Sequence, residues 1–194
     1  MTAFCHLGTM TNQAISLDTR EPEVLPNWLI GELRSDHAGE TGAVMIYRGI
    51  LATCRDPVIR NFAERHGATE QGHLELLEGV LPSSQHSILL PIWRVAGWLT
   101  GALPSLIGSR AVYATIDAVE TFVDHHYQAQ IVRLDAEGIH PEIRALLEHC
   151  RVDEVHHRDE ARQNVPEPSG LLLRVWAWLV GSGSAAAVLA ARRL

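Results

Sequence analysis

The feature that most restricts how this chain can fold is a pair of Glu-x-x-His segments, Glu70-Gln71-Gly72-His73 and Glu154-Val155-His156-His157. On a helix, positions i and i+3 share a face, so each pair can direct a carboxylate and an imidazole at one point. A third match, Glu137-Gly138-Ile139-His140, runs into Pro141. Gly and Pro punctuate helices and the residue before Pro avoids helical geometry, so this match reads as a loop.

The surrounding residues support helices at the other two. Leu29, Leu33, Asp36, Glu40, Ala43, Tyr47 and Leu51 recur at spacings of three and four from Pro26 onward, with Glu40 in the middle of the stripe. Gly39 and Gly42 flank that Glu, although each Gly costs a helix interior about 1 kcal/mol against Ala. Either they are simply tolerated, or another helix or a ligand approaches closely there. Asp56-Pro57 opens a second helix by capping chemistry, and its stripe of Ile59, Phe62, His66, Glu70, His73, Leu77 and Leu81 stops at Pro82. The short link makes these two antiparallel neighbours. A third stripe (Val112, Ile116, Glu120, Val123, Tyr127, Ile131, Leu134) ends near Gly138. A fourth (Ile143, Leu147, Cys150, Glu154, His157, Ala161) starts at Pro141 and stops before Pro166.

Between the second and third stripes lie residues 82–108, a connection far too long for a hairpin. Its part from Ile88 to Gly108 is apolar apart from Arg94 and a few small polar residues, and carries Trp93, Trp98, Pro91 and Pro104. A spanning helix needs roughly 20 apolar residues, and a charge near its centre is costly. The segment therefore reads as lying in a membrane interface or capping a hydrophobic channel, with ordinary core packing as the competing reading. Leu171 to Ala191 is a second apolar stretch, with Trp176 and Trp178 near its start and Arg192-Arg193 after it, and is a second candidate for the membrane surface.

The four stripes bring Glu40, Glu70 with His73, Glu120, and Glu154 with His157 to one bundle interior. The two halves match in order, with 30 residues from Glu40 to Glu70 and 34 from Glu120 to Glu154. One Glu from each of two helices and Glu-x-x-His from each of the other two is the ligand pattern of ferritin-like dinuclear carboxylate bundles, which also need a long crossover. Four carboxylates in an apolar bundle repel one another and lose hydration, whereas two divalent cations bring the centre to neutrality. Oxygen-rich ligation with two imidazoles suits iron or manganese, and the absence of thiolates disfavours structural zinc or an iron–sulfur centre. Asp36, Asp117 and Asp153 are placed to orient a metal-bound imidazole or to be solvated acids. His37, His125, His126 and His156 read as satisfied or exposed, and Tyr127 as core, one layer from the metals, with a possible catalytic role.

The expected fold is thus all-α, a ferritin-like four-helix bundle with additional apolar helices. It forms a single domain over residues 26–194, preceded by a loosely ordered N-terminus, residues 1–25. A net charge of −7 argues against nucleic acid. Cys5, Cys54 and Cys150 form no Cys-x-x-Cys knuckle and read as reduced thiols. The first 20 residues lack a basic start and an apolar core, so a cytoplasmic protein is expected.

The segments Asp36-His37-Ala38-Gly39-Glu40-Thr41-Gly42-Ala43, Ile46-Tyr47-Arg48-Gly49, Ala118-Val119-Glu120, His125-His126-Tyr127 and Asp153-Glu154-Val155-His156-His157 resemble the demethoxyubiquinone hydroxylase family of ubiquinone biosynthesis, from about Trp28 to the C-terminus. The resemblance implies that two iron ions per chain are held by Glu40, Glu70, His73, Glu120, Glu154 and His157. It implies a flavin-free monooxygenation of a polyprenyl benzoquinol, with one atom of O2 entering the ring and the other leaving as water. Peripheral attachment to the cytoplasmic face of the inner membrane is implied as well, whereas association as a homo-oligomer or with other ubiquinone-biosynthesis proteins is left open by the sequence. Thr121 departs from relatives that carry a second Glu after the ligand, and leaves the six residues intact. No Gly-x-Gly-x-x-Gly occurs, so NADH, as a possible reductant, must act without that nucleotide-binding motif. The alternative from another class is a ferritin-like ferroxidase or iron-storage protein, which uses the same metal set.

Overall fold

The computed structural model describes residues 24–165 and 170–194. They form six α-helices: α1 (Asn27–Thr53), α2 (Pro57–Val80), α3 (Leu90–Ile107), α4 (Ser109–Glu137), α5 (Pro141–Asn164) and α6 (Leu171–Ala191), with no strand among the described residues. Most of the expected N-terminal segment 1–25 lies outside the described residues.

Local chemistry sets the boundaries. The Asp56 carboxylate accepts a hydrogen bond from the Val58 amide at 2.8 Å, and Pro57 occupies the first position of α2. Gly138, with φ of 65°, closes α4, and Pro141 opens α5. The Glu137–His140 match therefore straddles a helix break, and its two side chains do not share a helical face.

Helices α1 with α2 and α4 with α5 form two hairpins that face each other. Apolar residues pack at both ends of this arrangement. Ile46, Phe62, Val112 and Ile116 form one core cluster, and Leu29, Leu33, Leu77, Leu134 and Leu147 form the other. The acidic and histidine positions of every stripe fall between the two clusters along each helix.

The long crossover holds α3, which packs most closely of all on α1 and also touches α4. Its contact is backbone on backbone. A Cβ at Gly101 would sit 1.9 Å from the Ile46 carbonyl oxygen, and one at Gly97 would sit 2.4 Å from that of Gly42. From the other side, a Cβ at Gly49 would meet the Trp98 carbonyl oxygen at 2.2 Å. Thr53 adds a hydrogen-bonded contact with the Ser105 hydroxyl. The inner face of the 88–108 segment is thus packed core, while Ile92, Val95, Leu99 and Leu103 on its outer face are exposed.

Helix α6 lies along α4 and α1. The Trp176 indole donates to Thr115 Oγ1 at 2.8 Å, and the Arg192 guanidinium reaches Glu32 at 2.7 Å. By length and composition α6 is apolar enough to cross a membrane. Leu172, Val175, Trp178 and Leu189 on its outer face are exposed.

Because α1 and α3 touch through their backbones, Gly101→Ala should destabilise the protein by about 1–3 kcal/mol through overpacking. Gly79→Ala, where a Cβ meets nothing within 4 Å, should be neutral or gain up to about 1 kcal/mol. Urea unfolding midpoints of the two variants check this, and equal midpoints would contradict the close contact.

Candidate metal centre

Glu40 comes from α1, Glu70 and His73 from α2, Glu120 from α4, and Glu154 and His157 from α5, and all six are buried. They fall into two overlapping groups. Glu40, Glu70, His73 and Glu154 each offer a donor atom within 4.8 Å of the others, and so do Glu70, Glu120, Glu154 and His157. Glu70 and Glu154 belong to both groups. Two adjacent cations would therefore share these two carboxylates, and each would gain one further Glu and one His.

The donor atoms face one another without satisfying one another. His157 Nδ1 lies 2.9 Å from Glu70 Oε1, and His73 Nδ1 lies 3.1 Å from Glu154 Oε1. Yet both oxygens of Glu70 and of Glu154, Glu40 Oε2 and both Nδ1 atoms lack a hydrogen bond in acceptable geometry. Buried polar atoms are normally paired, and so many orphans on one spot need an explanation. A cation bound by those lone pairs would supply it, and the oxygen-rich, two-imidazole donor set fits iron or manganese.

Electrostatics lead to the same point. Burial, then repulsion from Glu70 and Glu154, pushes the Glu40 carboxyl well above the usual carboxylate range. Burial, then Glu154 and Glu70, does the same to Glu120. Burial would also raise Glu70, but the adjoining His157 and His73 imidazoles outweigh it and hold that carboxyl below its ordinary value. His157 is desolvated, which alone would lower it, and Glu154 and Glu70 push it instead up to about 9. His73 is raised by the same two carboxylates against its own burial.

Residues around the six orient them in a crossed pattern. Tyr127, seven residues after Glu120, donates its hydroxyl to Glu40 Oε1, while Tyr47, seven residues after Glu40, donates to Glu120 Oε1 at 3.4 Å. Burial and the nearby carboxylates raise both phenols, so they stay protonated and act as donors. Spacing alone points to Tyr127 for a role near the metals and marks Tyr47 only as part of a stripe. The repeat of the Glu-to-Tyr interval was the signal that could have found it. Of the three acids considered as orienting groups, Asp153 meets His73 Nε2 at 3.1 Å. Asp36 instead pairs with His126 Nε2 at 2.9 Å and Gln130 Nε2 at 2.8 Å. Asp117 sits half-exposed against Arg162 at 2.6 Å, away from either imidazole.

A cavity of about 350 Å³ reaches Glu40, Glu70, Glu120 and Glu154 from the side of α1 and α4. It is walled by Ile46, Val119, Val123, Trp93 and Val180, with Asp36 and His126 as polar points. Gly39 and Gly42 line it too, and a Cβ at either would meet nothing within 4 Å. Their small size thus widens the cavity beside Glu40, and the carbonyl of Gly42 also receives α3. Ala96 of α3 and Leu179 and Gly183 of α6 line the cavity and are exposed, which places its mouth between those two helices.

The sequence profile of the family described as "Ubiquinone biosynthesis protein COQ7" matches residues 27–191. The chain belongs to the COQ7 family. Among its relatives, the "NADPH-dependent 3-demethoxyubiquinone 3-hydroxylase, mitochondrial" of Caenorhabditis elegans is 28% identical over 84% of this chain and 88% of its own length. The protein of the same description from Dictyostelium discoideum is 37% identical over 71% of this chain and 65% of its own length. The "3-demethoxyubiquinol 3-hydroxylase" of Rhodospirillum rubrum is 35% identical over 66% of this chain and 60% of its own length. The chain thus spans less than two thirds of these last two. The COQ7 family accordingly includes mitochondrial and bacterial proteins, and the mitochondrial ones name NADPH where the sequence reading raised NADH.

Without a cation, Glu40, Glu120, His73 and His157 all bind protons more tightly in the folded chain than in the unfolded one. The folded state then holds more protons above the unfolded carboxylate pKa, so stability falls as pH rises. Metal-free protein should therefore lose thermal stability from about pH 6.5, above which the lowered His66 and His37 no longer oppose the trend, to about pH 9, where His157 also releases its proton. Protein loaded with a divalent cation should not, because cation binding favours deprotonated ligands. Melting curves across that range, with and without chelator, check the sign.

Proposed function

We propose that this chain is a di-iron, dioxygen-dependent hydroxylase acting on the ring of a polyprenylated demethoxy-benzoquinol in ubiquinone biosynthesis. The observation that carries the reading is the apolar cavity ending on a buried carboxylate–imidazole cluster. A volume of about 350 Å³ suits a substituted benzenoid ring, and a mouth between the apolar helices α3 and α6 gives a prenyl tail a route outward. Glu40, Glu70, His73, Glu120, Glu154 and His157 are the proposed ligands, with Glu70 and Glu154 shared. Two irons so held would supply O2 activation and two reducing equivalents at the end of the cavity.

The chain's own residues do the rest. Tyr127 and Tyr47 fix the two unshared carboxylates through hydrogen bonds. Asp153 holds the His73 ring by its Nε2, which leaves Nδ1 facing the centre. The apolar walls keep bulk water from the reacting ring. Asp36, whose Oδ1 is held by His126 and Gln130 and whose buried Oδ2 lacks a partner, supplies a polar point in the cavity wall that can accept from a quinol hydroxyl.

The exposed outer faces of α3 and α6 support peripheral membrane attachment, proposed at the cytoplasmic face of the inner membrane. Electrons are proposed to come from a reduced nicotinamide, as the relatives' names suggest. Gly181 and Gly183 lie inside helix α6, and no strand precedes them among the described residues, so a dinucleotide-binding turn is not the route. A ferroxidase or storage role would use the same six residues, but it gives no purpose to the apolar cavity.

In cells that accumulate demethoxyubiquinone for lack of their own hydroxylase, the chain should restore ubiquinone, with the new ring oxygen labelled by ¹⁸O2 and not by labelled water. Gly183→Phe at the cavity mouth should keep its iron and lose roughly tenfold or more in turnover. Iron-loaded wild-type protein that leaves the quinone pool unchanged would favour the ferroxidase alternative.

A further inference from the structure

A second cluster of metal-ligating side chains lies outside the six. His66 of α2 and His156 and Glu160 of α5 bring one donor atom each within 4.8 Å of the others. His156 and Glu160 stand four residues apart on one helix and share its face, and His66 reaches them from the opposing helix. His66 Nε2 lies 2.9 Å from Glu160 Oε2. Arg65 donates to both oxygens of Glu160, at 2.5 Å to Oε1 and 3.3 Å to Oε2, which fixes the carboxylate's orientation. His66 is buried, Glu160 partly so, and His156 is exposed, so the three run from solvent inward.

The cluster adjoins the centre directly. The His66 ring stands edge-on to the His157 ring with centroids 4.1 Å apart, and the Nδ1 of His157 faces Glu70 at 2.9 Å. The seam between α2 and α5, which carries all of these residues, is the looser side of the bundle, since each of these helices packs far more closely on its hairpin partner.

The wide cavity is a poor path for an ion. A hydrated divalent cation would lose water against Trp93, Val123, Leu179 and Val180, and the polar points Asp36 and His126 are already paired with each other. The α2–α5 seam offers imidazole nitrogen and carboxylate oxygen at each step instead. We propose that His66, His156 and Glu160 form an exchangeable loading site for a divalent transition cation, which passes ions across the α2–α5 seam to the carboxylate centre. The loading role rests on the centre being a metal site. Three ligands, one of them solvent-exposed, and an arginine already on Glu160 keep the site weak, as transfer requires. The substrate then enters from the apolar side of the bundle and the metal from the polar side.

Metal-free protein mixed with Co²⁺ alone tests this, with filling of the centre followed by visible absorption and final content by elemental analysis. His156→Ala and Glu160→Gln should fill roughly tenfold more slowly than wild type and still reach two ions per chain. His156→Ala should melt at the wild-type temperature, because that ring is exposed. With the centre full, wild type should take up a third, weaker Co²⁺ that His156→Ala does not. Unchanged filling rates in both variants, or no third ion in wild type, would overturn the loading site. A wild-type chain that never reaches two ions would overturn the reading of the centre itself, and the loading role with it.

Discussion

Mutual repulsion among four buried carboxylates is the constraint on which the rest of this structure depends. Glu40, Glu70, Glu120 and Glu154 are all withdrawn from water and lie within reach of one another. Such a cluster is unfavourable unless positive charge is brought to it. The two imidazoles at 2.9 and 3.1 Å supply part of that charge when protonated, and they leave the facing lone pairs unmatched. Two divalent cations would match both the charge and the lone pairs. The apolar clusters on either side then act as clamps that keep the four helices from separating to relieve the repulsion.

The two added helices follow from what that centre needs. Helices α1 and α4 each give one acid to the cluster, and their seam is covered by α3 and α6. Close approach of α3 through Gly97 and Gly101 seats the cover tightly on α1. Helix α6 packs less closely on α1, and the cavity lies between them, lined on its side by Trp176, Leu179 and Val180 and by the small Gly183 and Ser184. The same two helices turn exposed apolar faces outward. One pair of helices thereby walls the cavity and offers an apolar surface to its surroundings.

The bundle was legible from sequence because its constraint is periodic. An acid and a histidine on one helical face must stand three or four apart, so Glu70, His73, Glu154 and His157 mark their helices, and Glu40 and Glu120 sit in equally regular stripes. The structure brings all six together. The apolar segment 88–108 was less legible, because composition shows that a helix avoids water and does not name its partner. Its two faces turned out to divide between core and surface. The roles of Asp36 and Asp117 were not legible either. A carboxylate one turn from a ligand or beside it on the helix can turn toward His126 or Arg162 as readily as toward the centre, and only packing decides. The seven-residue Glu-to-Tyr interval marks Tyr47 as it marks Tyr127, but the pairing of Tyr47 with Glu120 crosses between helices and is set by packing.

The most direct test of a dinuclear centre is a crystal structure of the iron-loaded protein with anomalous scattering recorded on both sides of the iron edge. The account predicts two peaks about 3.5–4 Å apart, with Glu70 and Glu154 touching both, Glu40 and His73 on one, and Glu120 and His157 on the other. A single peak, or iron bound elsewhere while these carboxylates pair only with the imidazoles, would contradict it.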